Sequence, residues 1–146
     1  MKGNKIVYIV RPEVKVTEIE GYETLIFHNQ IEGLKSIKEN PFIIVIDLGL
    51  HGITGLDLIS MIRANPSNHH IKIIICSKKY NHNLIKKCFQ GGADFYISIP
   101  FDANEIKFII NDINEYIRKF ILEKQEHISF TPQKQIISEL SDQHPF

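Results

Sequence analysis

The apolar run Ile43–Ile46, followed directly by Asp47, constrains the fold of this chain more than any other feature. Consecutive β-branched residues are typical of a strand that is buried on both faces of a parallel sheet. The run ends in a carboxylate and then a loop that contains Gly49. Ligands collect at the carboxyl ends of strands in open parallel sheets, so Asp47 is the first candidate site residue. The alternative is a carboxylate that only accepts hydrogen bonds from the loop behind it.

Strands and helices are predicted to alternate along the chain. Further strands are predicted at residues 5–10, 22–28, 71–77 and 94–99. Helices are predicted at residues 30–39, 55–64 and 82–90, and from residue 103 onward. The connection Glu13–Glu20 has room for at most about two helical turns before Gly21. This alternation predicts an α/β fold with a parallel sheet and right-handed crossovers.

Composition excludes several classes of protein. The 146 residues suit one domain, and 17 basic residues balance 17 acidic ones, so the charge does not favour nucleic acid or membrane surfaces. Cys76 and Cys88 lie in apolar segments and are predicted to be buried thiols rather than a disulfide. No signal peptide, membrane span or glycine-rich phosphate loop is predicted, so a cytoplasmic location is expected.

Five separated landmarks together resemble the response-regulator receiver domain of two-component signalling. They are Val7–Val10, Ile43–Asp47 with Gly55 eight residues later, Ser77, Gly92–Tyr96, and Pro100-Phe101. The resemblance covers residues 5–124. It implies a flavodoxin-like, doubly wound five-stranded parallel sheet of order 2-1-3-4-5, here with a shortened first helix. Arg11, Asp47 and Ser77 would then share one edge of the sheet.

The resemblance also assigns roles to individual positions. Asp47 matches the phosphoacceptor, and Ser77 and Tyr96 match the switch hydroxyl and the switch aromatic residue. Receivers usually carry two acidic residues after the first strand to hold Mg²⁺, and a lysine near the end of the fifth strand. Those positions are Arg11, Pro12 and Ile99 here, so this chain is an atypical member.

The missing groups determine the predicted chemistry. Mg²⁺ needs several oxygen ligands, and Glu13 is the one nearby acid that could supplement Asp47. Arg11 is predicted to form a permanent ion pair with Asp47 that mimics a neutralised site, although a solvated Arg11 is the alternative. Asp47 with His51 and His82 would form a recognisable metal set, but incidental histidines are commoner, so no metal site is predicted.

The predicted function is an atypical receiver that acts as a signalling and protein-interaction module in transcriptional regulation, independently of phosphorylation. No catalytic residue and no cofactor are predicted. One alternative is a conventional receiver that a histidine kinase phosphorylates on Asp47, with Mg²⁺ as the cofactor. A second alternative is a purely structural dimerisation domain.

The C-terminal part raises two further expectations. Residues 1–124 are predicted to form the receiver-like domain, and residues 125–146 an extension or the start of an output domain. The string Phe130–Ile137 resembles the opening of a LuxR-type helix-turn-helix domain, and DNA would be bound only through such an output domain. Phe108 and Tyr116 lie off the main apolar stripe of the last helix, which predicts a homodimer through that face.

Overall fold

The computed structural model describes the backbone of residues 3–130 and the side chains of residues 3–124. Within these residues the strands are β1 (Lys5–Ile9), β2 (Glu23–Phe27), β3 (Ile43–Asp47), β4 (Lys72–Ser77) and β5 (Phe95–Ser98). The α-helices are α1 (Gln30–Lys35), α2 (Gly55–Arg63), α3 (His82–Gly91) and α4 (Ala103–Phe130). The chain divides into two compact units, Met1–Glu105 and Ile106–Phe146. The predicted domain boundary after residue 124 stays a prediction.

The first unit contains a parallel sheet with the strand order β2-β1-β3-β4-β5. The predicted flavodoxin-like fold class is therefore confirmed. Strand β3 lies at the centre, and all five of its residues are buried, as expected for a β-branched strand with neighbours on both sides. The register pairs Asp47 with Cys76 of β4, so the carboxyl ends of β3 and β4 lie side by side.

Helices α1, α2 and α3 begin at side-chain caps. Asn29, Thr54 and Asn81 each accept a hydrogen bond from a backbone amide of the first turn. Buried residues of α2 and α3 join Ile46 and Ile75 in one hydrophobic core. The packing of these helices against the sheet also positions the loops at the carboxyl ends of the strands.

The shortened helix expected between β1 and β2 does not form. Residues 11–22 instead form turns and irregular chain, with Val14 and Ile19 buried. Pro12 lacks an amide hydrogen, and Val16 and Thr17 are β-branched, so this segment has little intrinsic tendency to form a helix. We call residues 11–22 the strap.

Two apolar stripes that helical spacing predicts are only partly correct. They are Ile31, Leu34 and Ile37 on the first helix, and Ile106, Ile109, Ile110, Ile113, Ile117, Phe120 and Ile121 on the last. Ile31 of α1 is exposed, whereas Gly33 is the buried residue of this helix and faces Ile9 so closely that an added Cβ would lie 2.6 Å from that side chain. In the second unit Ile106, Ile109, Ile110 and Ile113 are buried as predicted, whereas Ile117 and Ile121 are exposed and Phe120 is half-buried. Spacing predicts which residues share a helix face, but it does not tell how far along the helix that face stays buried.

The remaining sequence predictions concern the two cysteines, membrane-spanning helices and the C-terminal tail. Cys76 and Cys88 are buried free thiols, as predicted. None of the helices in the described part of the chain is long and apolar enough to cross a membrane. The sequence also predicts a tail helix bearing Ile136, Ile137 and Leu140 that covers the sheet face left open by the short first connection, and this segment lies outside the described residues.

Candidate functional site

Asp47 ends β3 with a carboxylate that is completely buried. Its Oδ2 atom accepts hydrogen bonds from the backbone amide of Arg11 at 3.0 Å and from Arg11 Nε at 2.7 Å. Its Oδ1 atom accepts from Arg11 Nη2 at 3.2 Å and from the amide of Gly49 at 2.8 Å. Four donors therefore occupy a group that offers about four acceptor positions.

Arg11 follows β1 and points its guanidinium at Asp47 in a two-pronged ion pair. The Arg11 side chain is 23% exposed, against 0% for Asp47, so the charge pair lies at the boundary between core and solvent. The hydrogen bond to Asp47 raises the pKa of Arg11, with burial acting in the opposite direction. The geometry matches the ion pair that the sequence predicts and not a solvated arginine.

Gly49 makes room for that guanidinium. A Cβ atom at this position would lie 2.4 Å from Arg11 Cζ and 2.6 Å from Nη2. The Gly49 amide also binds Asp47, so the residue supports both partners of the ion pair. The sequence indicates only that Gly49 lies in the loop after Asp47. The sequence feature that could indicate this role is a glycine two positions after a carboxylate that is expected to bind an arginine.

Ser77 and Tyr96 are joined by a hydrogen bond. The Ser77 hydroxyl donates to the carbonyl of Lys79 at 2.9 Å, so the Tyr96 hydroxyl is the donor in its 3.0 Å contact with Ser77 Oγ. The ring of Tyr80 packs edge-on against Tyr96, with centroids 5.8 Å apart. The two predicted switch positions are thus brought together and held on neighbouring strands.

The remaining predicted positions lie around this edge in different ways. The amide of Ile99 donates to the Ser77 carbonyl at 2.8 Å, and the Ile99 side chain is buried. Pro12 and Glu13 are exposed, and the charge of Glu13 contributes to the raised pKa of Arg11. Glu13 is not among the hydrogen-bond partners of Asp47. Among the described residues no three His, Cys, Asp or Glu side chains are grouped closely enough to hold a metal ion.

Two buried ionisable side chains, Cys76 and Tyr8, lie on the strands on either side of β3. Burial raises the pKa of the Cys76 thiol, and the charge of Asp47 adds to this effect. Burial also raises the pKa of Tyr8 to about 12. The Tyr8 ring stacks on Phe101 with an interplanar angle of 6°. Both groups stay protonated at neutral pH and add no charge to the environment of Asp47.

The predicted dimer residues lie on α4, in the second unit. Phe108 is 74% exposed, the highest exposure among the large apolar side chains described. Tyr116 is half-buried. The two rings therefore differ in exposure, and the homodimer through this face stays a prediction.

Comparison with known proteins identifies the family of the chain. Residues 10–111 match the family of the response regulator receiver domain. The chain belongs to this family. It is 30% identical over 106 residues to the two-component response regulator ORR13 of Oryza sativa subsp. japonica, covering 72% of this chain and 82% of that protein. It is 27% identical over 88 residues to the DNA-binding response regulator MtrA of Mycolicibacterium paratuberculosis, covering 60% of this chain and 38% of that protein.

Solved structures show the same fold. A CheY-like response regulator receiver domain protein from Methanospirillum hungatei superposes with a TM-score of 0.64 at 22% sequence identity, covering 81% of this chain and 98% of that one. The family match identifies the chain as a receiver domain of two-component signalling. Asp47, Ser77 and Tyr96 lie on β3, β4 and β5, and their roles as phosphoacceptor and switch residues stay predictions.

Proposed function

We propose that this receiver domain works as a protein-interaction module whose state does not depend on phosphorylation of Asp47. One observation supports this most strongly: both oxygens of the buried Asp47 carboxylate are occupied by donors from Arg11 and Gly49. A carboxylate that attacks a phosphorus atom must present a free oxygen in line with the leaving group. Here each oxygen would first have to lose a charge-assisted hydrogen bond.

This chain also has fewer of the positive charges that assist phosphoryl transfer. Such transfer is mostly positioning and charge neutralisation, by divalent metal ions and cationic side chains. The family resemblance places Arg11 and Pro12 where two metal-binding acids are usual, and Ile99 where a lysine is usual. A guanidinium bound to Asp47 repels a divalent cation instead of coordinating it. We therefore propose no cofactor and no catalytic residue.

The switch pair supports the same proposal. Phosphate can shift a receiver between two packings only if it binds those packings with different affinity. Ser77 and Tyr96 are already hydrogen-bonded in the unmodified chain, and the hydroxyl of Ser77 is directed to Lys79. We propose that the Arg11–Asp47 pair, or a protein partner, sets this state in place of phosphate.

Beryllofluoride with Mg²⁺ tests the proposal, because it mimics a phosphoryl group on an aspartate. The amide spectrum of the wild-type chain should stay unchanged, including the signals of Ser77 and Tyr96. The matched variant combines Arg11→Asp, Pro12→Asp and Ile99→Lys, and it should respond to the same additions. A wild-type response equal to that of the triple variant would refute phosphate independence.

We also propose that the chain forms a homodimer through the α4 face that carries Phe108 and Tyr116. The support is the exposure of Phe108, which is costly for so large an apolar ring in a monomer. Phe108→Asp should dissociate the dimer in sedimentation experiments at high micromolar concentration. Met61→Asp is the matched control, because Met61 is another exposed apolar residue, on α2. A wild-type monomer, or equal effects of both substitutions, would argue against this face.

A role in transcriptional regulation is proposed only from the sequence similarity to known regulators. The relative MtrA is described as a DNA-binding response regulator, and this chain spans 38% of that protein. DNA binding would therefore come from an output domain rather than from residues 3–124. As a two-component module with protein partners, the chain is proposed to act in the cytoplasm.

A further inference from the structure

A charged groove lies next to the Asp47 site, between the strap and the residues that follow β5. It encloses about 280 Å³. Its apolar lining includes Val14 and Ile99, which are buried, and Phe101, which is half-buried. Its rim carries Glu13, Lys15 and Lys78, all exposed. An apolar lining with a few charged groups at the mouth is the usual composition of a small-molecule site, and this volume is close to the lower end of the usual range.

The lining of the groove is fixed by contacts within the first unit. The Phe101 ring stacks on the buried Tyr8 ring at 6.4 Å. The amide of Val14 donates to the carbonyl of Arg11 at 3.1 Å, which closes a turn at the start of the strap. The absence of a helix in the strap leaves Val14 and Lys15 at this position. The groove is therefore formed before any ligand arrives, which lowers the entropic cost of binding.

The charges at the rim favour an anion. Neither Lys15 nor Lys78 has an ion-pair partner among the described residues. Glu13 lies close enough to Arg11 for its charge to act on that guanidinium. The rim thus carries two ammonium groups against one carboxylate. The flexible stems of the two lysines allow their ammonium groups to approach a ligand whose apolar body contacts the lining.

We propose that this groove binds a small amphipathic carboxylate: an aromatic or branched aliphatic body of about ten heavy atoms that bears one carboxylate. The apolar body would rest on Phe101 and Val14, and the carboxylate would bind Lys15 and Lys78. None of the residues that line the groove is a hydrogen-bond partner of Asp47, although Glu13 and Ile99 are also positions of the predicted site. The inference does not depend on whether Asp47 is phosphorylated.

Binding at the groove would also affect the switch pair. Lys78 directly follows Ser77 in the chain, and the amide of Ile99 donates to the Ser77 carbonyl at 2.8 Å. The Ser77 hydroxyl in turn accepts from Tyr96. A ligand that shifts Lys78 or Ile99 therefore shifts a residue bonded to Tyr96, which gives a small molecule a route to the switch residues.

Titration of the full chain with phenylacetate, monitored through its amide spectrum, tests the inference. Saturable shifts are expected at Val14, Lys15, Lys78 and Phe101, with a Kd on the order of 1 mM. Phenylacetamide has the same ring without the charge, and it should bind at least about fivefold more weakly.

Charge-reversal variants test whether the lysines at the rim, rather than lysines elsewhere on the surface, bind the ligand. Lys15→Glu and Lys78→Glu should each weaken phenylacetate binding about fivefold, a loss in the range typical of one exposed ion pair. Lys38→Glu is the matched control, because Lys38 is exposed and lies outside the groove, and it should leave the Kd unchanged. The inference is overturned if no saturable shift appears at about 20 mM phenylacetate, if the amide binds equally well, or if all three variants behave alike.

Discussion

Replacing Arg11 with methionine tests how much the ion pair contributes to the stability of the fold. The substitution keeps an unbranched stem but removes two of the four hydrogen bonds to Asp47, those from Nε at 2.7 Å and Nη2 at 3.2 Å. A hydrogen bond to a charged group contributes about 1.5–3 kcal/mol, and losing one partner of a buried ion pair costs about 3–5 kcal/mol. Since the Arg11 side chain is 23% exposed, water replaces part of the loss, and we expect about 3 kcal/mol.

Urea unfolding followed by circular dichroism measures this loss as a lower midpoint with an unchanged slope. Asp47→Asn provides the matched background, because it removes the buried charge that Arg11 neutralises. In that background Arg11→Met should cost no more than about 1 kcal/mol, so a double-mutant cycle should show coupling of about 2 kcal/mol. Additive effects of the two substitutions, or a loss below about 0.5 kcal/mol for Arg11→Met alone, would refute the reasoning.

Two further predictions concern the surroundings of the ion pair. Gly49→Ala forces the guanidinium of Arg11 away from Asp47, since the new Cβ would lie 2.4 Å from Arg11 Cζ. Urea unfolding should show a loss of about 2–3 kcal/mol, whereas Gly91→Ala, where the nearest atom is 3.6 Å away, should change stability by less than about 1 kcal/mol. Because burial raises the pKa of Cys76, the unfolded chain releases a proton that the folded chain retains above about pH 8.5. The free energy of unfolding should therefore fall as pH rises from there, by up to about 1.4 kcal/mol per pH unit for this thiol, and Cys76→Ala should make the decline shallower.

The parallel sheet was predictable because its signals are local and repeated. A β-branched run such as Ile43–Ile46 can bury both faces only at the centre of a sheet, and the segments between the strands have helical periodicity. The prediction for the strap was less accurate. The sequence limits how long a helix between β1 and β2 could be, but it does not show whether Pro12 and the β-branched residues prevent that helix altogether. The exposure of Ile117 depends on tertiary contacts that spacing does not contain.

The candidate site was predictable in its position and only partly in its geometry. Strand ends bring Arg11, Asp47 and Ser77 to one edge in any parallel sheet of this order. The role of Gly49 depends on where the guanidinium lies in three dimensions, so sequence spacing alone could not reveal it. The direction of the Ser77 hydroxyl, toward Lys79 and Tyr96, follows from a rotamer and from loop geometry that no local pattern specifies.

The most direct test of phosphate independence is the intact mass of the wild-type chain after incubation with acetyl phosphate and Mg²⁺. Acetyl phosphate is a small phosphodonor, so the result does not depend on finding a kinase. Because Arg11 and Gly49 occupy both oxygens of Asp47, we expect no added phosphoryl group. The variant that combines Arg11→Asp, Pro12→Asp and Ile99→Lys serves as the comparison. Stoichiometric addition of one phosphoryl group to the wild-type chain, located on Asp47 and absent from Asp47→Asn, would contradict the proposal.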